Sequence, residues 1–146
     1  MIGFLLVSTL IVLIAVLIYA KSLYFLTSFV PYLPGGSRIK VIVSVFVVIL
    51  AHVLEVFIFA ASYYFLTLNG NFGALEGSFD GSFLDSVYFS FITYTSLGIG
   101  DIIPLGNIRF LVGLEALSGL VLITWSASFL YIEMQKFWKI RTNKVV

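Results

Sequence analysis

Residues 82–104 are SFLDSVYFSFITYTSLGIGDIIP, a short apolar segment followed by a loop with two closely spaced glycines. Ser82 and Asp85 form a capping-box pattern, which predicts that a helix begins at Phe83. The apolar segment 83–95 is too short to cross a hydrocarbon core of roughly 30 Å, so we expect a re-entrant helix that stops at mid-membrane. Its inner end would carry the negative end of the helix dipole, which favours a cation at that place.

The composition points to a membrane protein. Of the 146 residues, 61% are hydrophobic and only 10% are charged, and the mean hydropathy is +1.14. Soluble domains are roughly half apolar and a quarter charged, so lipid is the expected solvent. A net charge of +1 provides no basic face for a nucleic acid. With no cysteine and one histidine, we predict neither an enzyme nor a bound cofactor.

Three apolar runs are long enough to cross a bilayer as helices, and they lie at about residues 2–20, 41–68 and 108–137. The Pro34 to Ser37 turn separates the first two runs, and a glycine-rich loop from Asn69 to about Gly81 follows the second. The predicted fold class is therefore an all-α membrane protein, with three transmembrane helices and one re-entrant helix.

The basic residues predict the orientation. Seven of the eight Lys and Arg residues lie either between the first two runs or after the third: Lys21, Arg38, Lys40, Lys136, Lys139, Arg141 and Lys144. With three spans, these two regions lie on the same side of the membrane. The positive-inside rule makes that side cytoplasmic. We therefore expect a multi-pass protein of the cell membrane, with its N-terminus outside and its C-terminus in the cytoplasm.

The loop after the re-entrant segment resembles the filter of the potassium-channel pore family, Thr-Val-Gly-Tyr-Gly-Asp, set between an outer and an inner helix. In that family, rings of backbone carbonyls replace the hydration shell of the ion. The resemblance implies a filter made of Ser96, Leu97, Gly98, Ile99 and Gly100. It also implies that the first four of these bind potassium, the permeant ligand. One chain supplies one wall, so the family implies a tetrameric pore, here a homotetramer.

The residues around the filter depart from the family pattern. Thr95 and Asp101 flank the filter, and the resemblance implies that they support it. Ile99 stands where the family has a tyrosine that bonds to a pore-helix aromatic, and Phe89 holds that aromatic position. Tyr88 stands where members often have a tryptophan that bonds the aspartate. An apolar pair thus replaces a polar one, which leaves open how strictly the filter excludes sodium.

Four residues within the apolar runs are further candidates, and two of them, Gly119 and Glu115, have two interpretations each. Gly119 lies about where the family has its gating hinge, but a small residue also allows close helix packing. His52 and Glu55 share one helical face, and Glu115 stands among apolar neighbours. Ionisable groups inside membranes are candidates for ion paths or proton sensing. The alternative for Glu115 is a neutral, hydrogen-bonded glutamate behind the pore helix.

These observations predict three parts: an N-terminal span with a cytoplasmic loop at 1–37, an ion-channel pore module at 38–137, and a short basic cytoplasmic tail at 138–146. The expected function is that of a tetrameric, potassium-selective channel. Two alternatives stay open, a weakly selective cation channel of the same architecture and a non-conducting membrane accessory subunit. No motif assigns a role to the first span.

Overall fold

The computed structural model describes residues 2–68, 70 and 72–142. The predicted helix stop at Asn69 and Asn71, and the end of the basic tail at 143–146, lie outside the described residues. The helices are α1 (Ile2–Phe29), α2 (Ser37–Leu68), α3 (Phe83–Tyr94) and α4 (Ile108–Thr142), with a short 3₁₀ turn at Val30–Tyr32 after α1. Three of them, α1, α2 and α4, are long and apolar enough to cross a membrane. The predicted fold class is confirmed.

The first helix is longer than the predicted span at 2–20. It continues past Lys21 because residues 22–30 contain neither proline nor glycine, the residues that interrupt helices most strongly. The Ser22 hydroxyl is satisfied within the helix, where it donates to the Ile18 carbonyl at 2.9 Å. The helix stops near Pro31, which lacks a backbone N–H. The Lys40 ammonium reaches back across the turn and donates to the Pro31 carbonyl at 2.6 Å.

A two-stranded antiparallel sheet closes the re-entrant segment, and the sequence did not predict it. Strand β1 (Gly73–Gly77) pairs with β2 (Ile102–Gly106). The predicted glycine-rich loop from Asn69 to about Gly81 is therefore wrong for residues 73–77, which form a strand. A Cβ atom on Gly77 would lie 2.2 Å from the carbonyl oxygen of Asp101, so only glycine allows the strands to approach this closely. The sheet joins the residues before α3 to those after the loop 95–101.

The four helices pack with α3 between α2 and α4, and with α1 against both of these long helices. The Phe4 ring of α1 lies 5.4 Å from the Phe72 ring, so the N-terminal end of α1 is at the same end as the sheet. A buried apolar cluster around Phe59 fills the half of the molecule next to the sheet, and a second cluster around Leu26 fills the opposite half. Many large apolar side chains point outward from the helices, as expected for contact with lipid or with further protein chains.

Candidate functional site

The N-terminus of α3 is fixed by a closed set of hydrogen bonds. The Ser82 hydroxyl accepts from the Asp85 backbone N–H at 3.0 Å, and Asp80 Oδ1 accepts from the Ser82 N–H at 2.7 Å. Asp85 Oδ2 in turn accepts from the Asp80 N–H at 2.8 Å. Hydrogen bonds from Ser82 lower the pKa of the Asp80 carboxyl below its usual value. The Ser82 hydroxyl thus caps the helix, as the Ser82 and Asp85 pattern predicted. The Ser82 N–H, however, donates to Asp80 and not to Asp85, so the second bond of a capping box is replaced.

The loop after α3 has an alternating backbone. Ser96, Gly98 and Gly100 have φ angles of +57°, +53° and +85°. Ser96 is the single non-glycine residue with positive φ in the described part of the chain, a conformation that side chains disfavour. Alternation between left-handed and right-handed backbone conformations allows successive carbonyl groups to point to the same side of the loop. The side chains of Leu97 and Ile99, 67% and 59% exposed, have little cover within one chain.

Both ends of this loop are tied to the scaffold. At its start, the Thr95 hydroxyl donates to the Phe91 carbonyl at 2.7 Å, one turn earlier in α3. At its end, the Tyr88 hydroxyl donates to Asp101 Oδ2 at 2.9 Å. The Asp101 carbonyl accepts from the Ser78 N–H at 2.9 Å, next to the sheet. Tyr88 therefore contacts the aspartate that the resemblance assigned to it.

Phe89 and Ile99, unlike Tyr88 and Asp101, do not form a pair within one chain. The Phe89 ring is 3% exposed and packs edge-on against the Tyr63 ring, with centroids 5.1 Å apart. Ile99 is exposed instead. A cavity of about 250 Å³ lies behind the loop, lined by Phe89, Gly98 and other residues of α3, β2 and α4. Within one chain, Phe89 therefore does not cover Ile99.

Glu115 of α4 is fully buried behind α3 and joins three helices. The Tyr63 hydroxyl of α2 donates to Glu115 Oε2 at 2.5 Å, and the Ser90 hydroxyl of α3 pairs with Oε1. Ser90 Oγ also lies 2.9 Å from the Val56 carbonyl, which can only accept. Since Ser90 has one hydrogen, all three contacts are satisfied when a neutral Glu115 donates to Ser90. This geometry fits the interpretation of Glu115 as a neutral structural residue.

His52 and Glu55 belong to a second group, which joins all four helices. The Tyr94 hydroxyl donates to Glu55 Oε2 and lies 2.8 Å from His52 Nδ1. His52 Nε2 lies 2.6 Å from the Ser126 hydroxyl, which also pairs with the Tyr19 hydroxyl. We call these five residues, Tyr19, His52, Glu55, Tyr94 and Ser126, the buried polar cluster. It connects α1 to the last residue of α3.

The hydrogen atoms of the buried polar cluster can be counted. Ser126 donates its hydrogen to the Leu122 carbonyl at 2.8 Å, so Tyr19 and His52 Nε2 must both donate to Ser126. Glu55 Oε1 is buried and has no hydrogen-bond partner within the described residues.

Gly119 lies against the end of α3. A Cβ atom at Gly119 would lie 2.1 Å from the backbone carbonyl oxygen of Tyr94. This separation is far below any real contact, so the absence of a side chain is what permits α4 to approach α3 here. The structure thus shows the close packing that was one of the two interpretations of Gly119. A hinge at this residue stays a prediction.

Five residues of these clusters were not predicted from the sequence: Tyr19, Tyr63, Ser90, Tyr94 and Ser126. Their hydroxyl groups in apolar runs were a signal, because a polar group at membrane depth requires a partner. The signal is weak, however, since a serine can bond back to its own helix, as Ser126 does. Only the packing of the helices reveals which partners meet.

Oxygen atoms of the loop backbone and of the Ser96 hydroxyl lie next to the negative end of the α3 dipole, where a cation is favoured. In the part of the chain that the structure describes, no group of three or more His, Asp or Glu side chains could hold a metal ion. The oxygen atoms that this loop can present to a cation are therefore its backbone carbonyls and the Ser96 hydroxyl. Such ligands suit a hard monovalent cation in transit.

Comparison with known proteins gives one match. A family model described as "Ion channel" matches residues 51–136, which is 86 of the 146 residues. The match begins in α2, includes α3, the loop and the sheet strand β2, and ends within α4. It leaves out α1 altogether. Comparison with curated proteins and with solved structures gives no match.

Proposed function

Because the chain belongs to the ion channel family whose model spans residues 51–136, we propose that it is a potassium-selective channel and works as a homotetramer. The observation that carries this proposal is the alternating backbone of Ser96, Gly98 and Gly100 directly after a short, capped helix. The filter is formed by residues 96–100. Potassium is its permeant substrate, and the channel uses no cofactor.

Selectivity arises from the exchange of water oxygens for protein oxygens. A potassium ion enters the filter when the carbonyls of Ser96, Leu97, Gly98 and Ile99 replace its hydration shell. The Ser96 hydroxyl adds a ligand at the inner end. The α3 dipole, about 18 Å long at 1.5 Å per residue, lowers the energy of a cation at mid-membrane. Sodium is smaller and gains less from the same oxygens.

A single chain supplies only one wall of such a filter. The exposed Leu97 and Ile99 side chains and the open cavity behind Gly98 support the view that further chains complete the structure. Four copies surround an ion with carbonyls on all sides, and closed rotational symmetry gives each copy the same contacts. The isolated monomer is therefore inactive.

The orientation follows from the charges. Lys40 bonds to Pro31 at the turn after α1, at the end of the molecule away from the sheet, whereas Glu76 is exposed on β1. With the basic end in the cytoplasm, the filter opens to the outside and both the N-terminus and Glu76 are external. Four copies of Glu76 concentrate cations at the outer mouth. The channel resides in the cell membrane.

The test is ion flux through purified protein in liposomes. We expect potassium or rubidium uptake to exceed sodium uptake, and detergent-solubilised protein to have four times the 16.2 kDa mass of one chain. Equal uptake of the two ions would contradict selectivity and leave a weakly selective cation channel. No uptake of either ion, with a monomeric mass, would support a non-conducting accessory subunit instead.

A further inference from the structure

Tyr94 is the last residue of α3 and stands two positions before Ser96, the inner end of the proposed filter. It is 2% exposed and is held from two sides. Its backbone carbonyl lies against Gly119 of α4, and its hydroxyl donates to the Glu55 carboxylate of α2. A displacement of either long helix therefore moves the point from which the filter loop begins.

The contacts of Tyr94 continue away from the filter through His52. The His52 ring lies between Tyr94 and Ser126, and the Tyr19 ring of α1 stacks on it at 5.2 Å with an angle of 25°. The Tyr19 hydroxyl donates to the Ser126 hydroxyl. Tyr19 is fully buried, as is the Glu55 side chain at the other end. No water competes for these groups in a membrane, so each depends on its partners in the cluster.

We infer that the buried polar cluster positions the inner end of the filter, and that Tyr19 makes α1 part of the conduction machinery as a positioning residue. The inference rests on the proposed function. It gives a role to a helix that lies outside the part of the chain matched by the ion channel family. When Tyr19 loses its hydroxyl, Ser126 loses one of its partners. His52, which bonds to Ser126, is then held less firmly, and so is Tyr94. The filter then holds its ion less selectively.

The discriminating variants remove single hydroxyl groups. Tyr19→Phe keeps the ring that stacks on His52, and Tyr94→Phe keeps the ring at the end of α3. Tyr24→Phe is the matched control, because Tyr24 lies on the same helix but is 75% exposed. Ser126→Ala removes the group between Tyr19 and His52, and serves if Tyr19→Phe does not fold.

We expect Tyr19→Phe, Ser126→Ala and Tyr94→Phe each to lower the potassium-to-sodium flux ratio in liposomes by at least about threefold, because the loss of one net hydrogen bond produces about that factor and the homotetramer loses the bond in all four subunits. Tyr24→Phe leaves the ratio unchanged. The double variant Tyr19→Phe with Tyr94→Phe should lower the ratio by less than the product of the two single effects, because both changes release one cluster. Flux is normalised to tetrameric protein from gel filtration.

The outcomes separate this inference from the proposed function. If the unmodified protein conducts selectively and Tyr19→Phe and Ser126→Ala lower only the melting temperature, the cluster is merely packing and the inference is wrong. If the two single effects multiply, Tyr19 does not act through Tyr94, and the inference is wrong as well. If the unmodified protein passes no ion, or does not distinguish potassium from sodium, the proposed function is wrong and the inference falls with it.

Discussion

The hydroxyl of Tyr88 donates a 2.9 Å hydrogen bond to the Asp101 carboxylate, across the filter loop that separates them in sequence. This bond joins the middle of α3 to the residue that follows Gly100. Since Ile99 has no hydroxyl, this bond is the one side-chain hydrogen bond within the described residues that ties the outer end of the loop to α3. It should therefore keep the filter in its conducting form.

We predict that Tyr88→Phe makes conduction unstable at low potassium concentration. A hydrogen bond contributes about 0.5–1.5 kcal/mol net, and four equivalent losses are enough to shift a conducting-to-collapsed equilibrium by orders of magnitude. The measurement is single-channel recording in lipid bilayers as external potassium is lowered. Tyr131→Phe is the control, because Tyr131 is exposed on α4. Open times equal to those of the unmodified protein would contradict the bracing role of Tyr88.

Gly98→Ala should abolish flux while the tetramer persists. Gly98 has φ +53°, and no atom lies within 4 Å of a Cβ placed there, so the penalty is backbone strain and not collision. Left-handed backbone costs a residue with a side chain about 1–2 kcal/mol, and this cost recurs in each subunit. Gly36→Ala is the control, because Gly36 is also open but lacks positive φ. Normal flux in Gly98→Ala would show that the filter is assigned to the wrong residues.

Gly119→Ala should lower both the melting temperature and the flux. The added methyl would lie 2.1 Å from the Tyr94 carbonyl oxygen, and overpacking of this kind typically costs about 1–3 kcal/mol. Gly113→Ala is the control on the same helix, because nothing lies within 4 Å of its Cβ position. If Gly119 were only a hinge, its alanine variant would keep the melting temperature and the selectivity and would change only the fraction of time the channel is open.

Ile99→Tyr combined with Phe89→Trp should raise potassium preference more than the two single changes together. The pair restores the polar contact of the potassium-channel pore family, and the cavity of about 250 Å³ beside Phe89 provides space for a larger ring. A double-mutant cycle on the flux ratio measures the coupling. Additive effects would indicate that Ile99 is not the weak point of the filter.

Channel opening should depend little on membrane voltage. The sequence contains three arginines, at positions 38, 109 and 141, and no span carries a row of them. Moving one charge across the membrane is worth about 2.3 kcal/mol per 100 mV, so steep voltage dependence requires several mobile charges in each subunit. Conductance–voltage curves in symmetrical potassium measure this. A steep curve that persists after removal of blocking ions would contradict the prediction.

Local signals in the sequence were sufficient for much of the architecture. The apolar runs gave the three membrane-spanning helices, and the Ser82 and Asp85 pattern gave the start of α3 at Phe83. Helices in a membrane are predictable because each one satisfies its own backbone hydrogen bonds and its length is set by the bilayer. The glycine pattern at 98 and 100 identified the loop for a similar reason, because positive φ strongly favours glycine.

The sheet and the two buried clusters were decided by the tertiary structure alone. Strands β1 and β2 are five residues long and end in glycine or contain proline, so neither has a strand pattern, and they pair only because α3 and the loop bring their ends together. Glu115 and His52 stood out as ionisable residues, but Tyr63, Ser90, Tyr94, Ser126 and Tyr19 looked like ordinary members of apolar helices. Their partners lie 25 to 107 residues away in sequence. A hydroxyl group can bond to its own helix or to any neighbour, and only the packing of four helices determines which of these bonds forms.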